Sequence, residues 1–197
     1  MDFVAWTLVG GFGLFMVGAS MWRLEYEAPM EEALVTVHAD RARRRWIHGL
    51  MIPAVALTAA GLWGLAHVDP RVALGAGLYT VGAVPWLGAL AFRLTVGEWA
   101  AESAASGGAV PASYRPLSAW VDLGHTVHMG TAYAATVPIA LGLVGRSLVV
   151  DWLPAAGITW AVVMVGLFAL PRLRFVAEPP FWAHVFTFAV GLSMLLV

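Results

Sequence analysis

Six apolar stretches, each close to the length that crosses a lipid bilayer, constrain this chain more than any motif does. A membrane-spanning helix needs roughly 20 mostly apolar residues. The chain is 60% hydrophobic and only 12% charged, whereas a soluble domain carries about 25% charged residues. We therefore predict an all-α, polytopic membrane bundle that forms a single domain over residues 1–197. The six transmembrane helices are predicted over residues 3–22, 46–68, 72–92, 117–144, 152–170 and 180–197.

The placement of arginine predicts how this bundle is oriented. The connections after the first, third and fifth helices hold nine arginines, and the other connections hold only Arg71 and Arg146. Because arginine-rich loops stay in the cytoplasm, we expect a multi-pass protein of a bacterial-type inner membrane with both termini outside. Its expected partners are the lipid bilayer and either other membrane subunits or a second copy of the chain. The net charge of −1 gives no indication of nucleic-acid binding.

Two long connections carry patterns of their own. Residues 25–45 contain five acidic side chains followed by four arginines, which is typical of either a short amphipathic helix or a solvated loop. Residues 97–113 are rich in alanine, glycine and serine. This composition predicts a flexible loop or a short surface helix.

A weak internal repeat is visible in the same pattern. A shift of 80 residues places His48 on His128 and Glu98 on Glu178. Each odd-numbered predicted helix ends in arginine followed by glutamate, and each even-numbered one begins near tryptophan and histidine. This indicates a pseudo-repeat of three helical hairpins. The alternative is that arginine and tryptophan simply mark membrane interfaces.

Composition excludes several kinds of chemistry. The chain has no cysteine, so disulfides, iron–sulfur clusters and thiolate sites are excluded. All 11 basic residues are arginine, and without lysine no Schiff base with retinal or pyridoxal phosphate can form.

Four histidines lie within the apolar stretches, namely His48, His125, His128 and His184. An ionisable side chain in a membrane is costly and usually faces the bundle interior, so each one suggests a functional site. The second, fourth and sixth predicted helices all begin on the cytoplasmic side. We therefore expect the four histidines to share the cytoplasmic third of the membrane.

The leading hypothesis is a b-type haem held between helices, for electron transfer or porphyrin handling. Such a site requires one or two imidazoles as axial ligands, apolar walls and cations near the propionates. The candidate axial ligands are His48, His128 and His184, and the candidate propionate partners are Arg45, Arg93 and Arg172.

Two alternatives remain open, and the sequence does not decide whether the chain is an enzyme. The spacing Asp122-x-x-His125-x-x-His128 places three potential metal ligands on one helix face. Together with a histidine from another helix, they favour a single zinc or iron ion that activates water. Asp122 would then orient His125. In the other alternative the histidines only form hydrogen bonds between helices, and the chain is a structural subunit or a small transporter without a prosthetic group.

One short run resembles a known family. Residues 166–174, GLFALPRLR, are similar to a stretch of the bacterial membrane-type protoporphyrinogen oxidases, in which a helix with Gly-Leu-Phe ends in Leu-Pro-Arg-Leu. The first two predicted helices also resemble that family and related copper-resistance-type small helical membrane proteins, through residues 13–15, Arg23, residues 44–46 and residues 62–63. The resemblance implies a haem-binding bundle that works on porphyrins. The family's lysine and its histidine on the Gly-Leu-Phe helix have no counterpart here.

Overall fold

A computed structural model describes all 197 residues, and helices are its only regular elements. Each predicted apolar segment forms a helix, so the all-α prediction is confirmed. The helices are α1 Asp2–Ser20, α2 Met30–Ala39, α3 Arg41–Leu65, α4 Pro70–Leu94, α5 Val96–Ala105, α6 Tyr114–Leu143, α7 Leu153–Ala169, α8 Arg174–Ala177 and α9 Trp182–Leu196, with a 3-10 turn at Leu24–Glu27.

Four helical segments are long and apolar enough to cross a membrane: Asp2–Ser20, Arg41–Leu65, Pro70–Ala105 and Arg174–Leu196. The other two predicted spans differ from these in opposite ways. The apolar α7 has only 17 residues. The 30-residue α6 is long enough, but its first half carries several polar and charged side chains. The structure therefore establishes a helical bundle with four candidate spans, and the count of six remains a prediction.

A small cap of helices forms at the arginine-rich end. The amphipathic helix predicted within residues 25–45 is present as α2, whose Leu34 and Val37 pack against Ala100 and Ala101 of α5. Of residues 97–113, the first nine are the continuation of α5. A bidentate pair between Arg45 and Glu98, with Nη2 to Oε2 at 2.6 Å, ties α3 to α5.

At the opposite end a single carboxylate joins two connections. Asp69 caps α4 by accepting from the backbone N–H of Arg71 at 2.9 Å. It also accepts from the Arg71 guanidinium at 2.9 Å and from Arg146 at 3.3 Å. The hydrogen bond from the Arg71 side chain is the main reason that the pKa of the Asp69 carboxyl lies well below its usual range.

The helices pack in pairs, but not as three equal hairpins. α1 packs along α3, and α4 packs along α6. The third predicted hairpin differs, because α7 packs on α6 and barely contacts α9, which packs mainly on α1. This arrangement carries the start of α9 into the middle of the bundle.

Glycine permits the close approach of α4 and α6 beside His128. A Cβ atom built on Gly82 would lie 3.0 Å from the Cα of His128 and would overlap the hydroxyl of Thr131. A Cβ atom on Gly77, which lies on the same helix, would meet nothing within 4 Å. Small residues at helix contacts allow close backbone packing where the hydrophobic effect cannot drive association.

Substitution of Gly82 therefore tests this contact. We expect Gly82→Ala to lower the free energy of unfolding by about 1–3 kcal/mol, the usual cost of an overpacked core. Gly77→Ala should be neutral or stabilising, because alanine favours a helix over glycine by about 1 kcal/mol. Thermal unfolding of the two detergent-solubilised variants makes the comparison, and equal midpoints would contradict the role of Gly82.

Candidate functional site

Three of the four histidines in the apolar stretches are enclosed by the bundle. His48 on α3 is 1% exposed, and His128 on α6 and His184 on α9 are fully buried. His125, one turn before His128 on α6, is partly buried. Enclosure of histidines from three separate helices agrees with the expectation that they face the bundle interior.

A cleft of about 600 Å³ opens beside two of these histidines. We call it the histidine cleft. It lies between the end of α1, the helices α3, α4 and α6, and the segment that leads into α9. His48 and His125 line it together with Trp86 and Arg93 of α4 and Phe181. Its volume lies within the range of about 300–1,000 Å³ that is typical of small-molecule and cofactor sites.

The His48 ring is held in one tautomer. Its Nδ1 lies 2.9 Å from the backbone carbonyl oxygen of Arg44, one turn earlier on α3. A carbonyl can only accept, so Nδ1 carries the proton and donates. Nε2 therefore keeps its lone pair, which is the state in which histidine binds metals, with the other nitrogen bonded to a carbonyl.

Two arginines give this end of the bundle positive charge. Arg44 is only 8% exposed, and its guanidinium lies over the rings of Trp22 and Tyr26, at 4.9 Å and 4.6 Å from their centroids. The Arg44 Nε and Nη1 atoms have no hydrogen-bond partner. Arg93 lies 5.9 Å from the Trp86 ring centroid and 3.9 Å from the exposed carboxylate of Asp122. Buried donors without acceptors favour an anionic group nearby.

Of the three arginines predicted for this site, the structure brings only Arg93 to the cleft. Arg45 projects from α3 toward the cap, where Glu98 binds it. Arg172 is exposed in the segment after α7. Arg44 was not predicted for this site, although it lies four residues before His48 and so on the same helix face.

Residues 170–181, which we call the strap, cover one side of the histidine cleft. Three polar contacts attach the strap to α6. The Tyr133 hydroxyl donates to the Ala177 carbonyl oxygen at 2.6 Å. The Arg174 guanidinium donates to the Thr126 hydroxyl at 2.7 Å. The His125 Nε2 lies 3.1 Å from the Glu178 carbonyl oxygen, to which it must donate.

A second group of polar side chains, the central cluster, lies deeper in the bundle. It consists of Thr58, Tyr79, His128 and His184 from four different helices. The His184 Nδ1 lies 3.4 Å from the Thr58 hydroxyl oxygen and 3.5 Å from the Tyr79 hydroxyl oxygen. The His128 and His184 ring centroids are 5.9 Å apart. Both nitrogens of His128 and the Nε2 of His184 have no partner.

This cluster changes the expected depth of His184. Thr58 follows His48 by ten residues on α3, which is about 15 Å along the helix axis. Because His184 contacts Thr58, it lies deeper than predicted and does not share the level of His48. The strap is the reason, since it folds against α6 and starts α9 inside the bundle.

The predicted metal site made of Asp122, His125 and His128 does not assemble. Asp122 is exposed and its nearest charged neighbour is Arg93. The Nε2 atom of His125 donates to the Glu178 carbonyl oxygen, so it is not free to bind a metal. No group of three or more histidine, aspartate or glutamate side chains in the chain is arranged to hold a metal ion. The zinc or iron alternative therefore gains no support.

Comparison with known proteins adds no assignment. No protein-family model matches the chain, and no curated protein or solved structure resembles it significantly. The similarity to the protoporphyrinogen oxidases stays a prediction from residues 166–174.

Proposed function

We propose that the chain is a six-span membrane protein that binds b-type haem in the histidine cleft, for electron transfer or porphyrin handling. The cleft would lie in the cytoplasmic half of a bacterial-type inner membrane, with both termini outside. The observation that carries the proposal is His48, whose tautomer leaves Nε2 free at the edge of a large cleft next to unpaired arginine donors.

Exposed tryptophans at both ends of the bundle support the membrane placement. Trp46 and Trp63 are both exposed at opposite ends of α3. They are separated by 17 residues, or about 26 Å along a helix, which is close to the hydrocarbon thickness of about 30 Å. Trp99 and Trp120 are exposed at the arginine-rich end, and Trp152 at the other. Tryptophan concentrates at both interfaces of membrane proteins.

The absence of cysteine makes the proposed orientation testable with single substitutions. Ser106 and Ser147 are exposed in connections at opposite ends of the bundle. In intact spheroplasts, a membrane-impermeant maleimide should label Ser147→Cys and should label Ser106→Cys only after permeabilisation. The reverse pattern would place the termini in the cytoplasm, and labelling of both without permeabilisation would contradict a six-span topology.

The walls of the cleft suit a flat macrocycle with charged edges. Aromatic and aliphatic side chains from several elements line it, among them Trp86, Leu90, Phe175 and Phe181. Arg93 in the lining and Arg44 beside His48 supply cations for two propionates. His128 and His184 lie in the central cluster instead, so the proposal narrows the axial ligand to His48. When bound, the haem would supply the redox and ligand chemistry, and the chain would bind and orient it.

Removal of the proposed ligand is the direct test of haem binding. The protein purified after expression with ample haem should show a Soret band with one haem per chain. His48→Ala should weaken haem affinity by more than about 100-fold, beyond the usual effect of an outer-shell change. His67→Ala, which alters an exposed loop histidine, should bind as the parent does. A parent protein without a Soret band would reject the proposal and favour a structural subunit or a small transporter.

A comparison of haem with its dimethyl ester tests whether Arg93 binds the propionates through its positive charge. We expect Arg93→Gln to weaken haem binding by about tenfold or more, because a hydrogen bond to a charged group is worth about 1.5–3 kcal/mol. Binding of haem dimethyl ester, which lacks the two negative charges, should change little in the same variant. Arg172→Gln serves as the matched control, since Arg172 is exposed and outside the cleft. An equal loss for both ligands would assign Arg93 to packing alone.

A further inference from the structure

We infer that haem in the histidine cleft is ligated by protein on one side only, and that the other side is open to a small neutral ligand such as carbon monoxide. This inference rests on the proposed function and deepens it. Its basis is the hydrogen bonding of His125, the one other histidine that lines the cleft.

His125 forms a hydrogen bond with the strap. Its Nε2 donates to the Glu178 carbonyl oxygen at 3.1 Å, and a nitrogen that carries this proton has no lone pair for iron. The remaining lone pair belongs to Nδ1, which is buried and has no partner. The Trp86 ring packs against the His125 ring with centroids 4.7 Å apart. His125 thus positions the strap and does not act as an axial ligand.

No other strong ligand lines the side of the cleft that faces His48. Met51 follows His48 by three residues on α3, so it belongs to the same wall. The Glu27 carboxylate accepts from the Trp22 indole at 3.2 Å, and the Glu178 carboxylate lies 3.5 Å from Arg174. The rest of that lining is hydrocarbon, indole and guanidinium, none of which ligates iron in place of histidine.

The strap therefore has a defined role over an open coordination position. Its prolines and its aromatic residues Phe175 and Phe181 form an apolar roof, and the contacts from His125 and Tyr133 to its backbone hold it down. An apolar roof over an open iron position admits small neutral ligands and disfavours hydrated ions. Loss of either contact should loosen the roof and speed haem loss without changing the ligation of the iron.

The experiment uses the haem-loaded, full-length protein in detergent. We expect a high-spin ferric electron paramagnetic resonance signal and a shift of the ferrous Soret band on addition of carbon monoxide. His125→Ala should keep both properties but release haem to apomyoglobin about two- to tenfold faster, the range expected for one net hydrogen bond. His125→Gln should restore the parental rate, because its amide N–H can replace the Nε2 donor.

Other outcomes separate the failure of this inference from that of the proposed function. A low-spin parent protein that becomes high-spin in His125→Ala would identify His125 as a second axial ligand and overturn the inference. A parent protein that binds no haem would overturn the proposed function itself. Should His125→Ala fail to fold, Tyr133→Phe tests the strap independently. It removes the contact to Ala177 and leaves the His125 imidazole in place. An unchanged rate of haem loss would contradict the proposed role of the strap as a roof.

Discussion

Polar groups enclosed by apolar helices must find their partners inside the protein, and this constraint decides most of the structure. Buried threonines satisfy it locally, as when the hydroxyl of Thr58 donates to the Ala54 carbonyl oxygen at 3.0 Å. In His48, only Nδ1 has a partner, the Arg44 carbonyl oxygen. The Nε and Nη1 atoms of Arg44 and both ring nitrogens of His128 have no hydrogen-bond partner. Such unpartnered groups are rare in folded proteins, and they concentrate where the cleft and the central cluster lie.

The strap shows how a segment that covers such a bundle finds partners for carbonyl groups that no helix satisfies. A segment with prolines at its start and end cannot satisfy all its carbonyls within a helix. Here α6 supplies the missing donors, from Tyr133 to Ala177 and from His125 to Glu178. The same contacts that satisfy the strap also use up the donor nitrogen of His125. The hydrogen bond to Glu178 therefore explains both why His125 lies beside the cleft and why its Nε2 is not available to iron.

The sequence predicted the helices well because twenty apolar residues in a row leave few other structures. It marked His48, His128 and His184 as candidate ligands, but it could not show which histidines face the bundle interior, because helix rotation is set by packing between helices. Nor could it predict which of Arg44 and Arg45 is buried, because that also depends on helix rotation, which is set by packing between helices. Arg44 is the buried one of the two, whereas Arg45 points outward and donates to Glu98. The depth of His184 was also beyond prediction, because it depends on how residues 170–181 fold against α6.

The two levels of histidine meet at Trp86. Its ring lies 4.7 Å from His125 in the cleft and 6.0 Å, nearly parallel, from His128 in the central cluster. Trp86 also lines the cleft, and on its other neighbour, His128, both ring nitrogens are without a hydrogen-bond partner. Gly82, one turn before Trp86 on α4, lets this helix approach the backbone of His128 closely. The Trp86 indole thus lies between the histidine cleft and the central cluster, and its packing against both histidine rings fixes how the two groups are placed relative to each other.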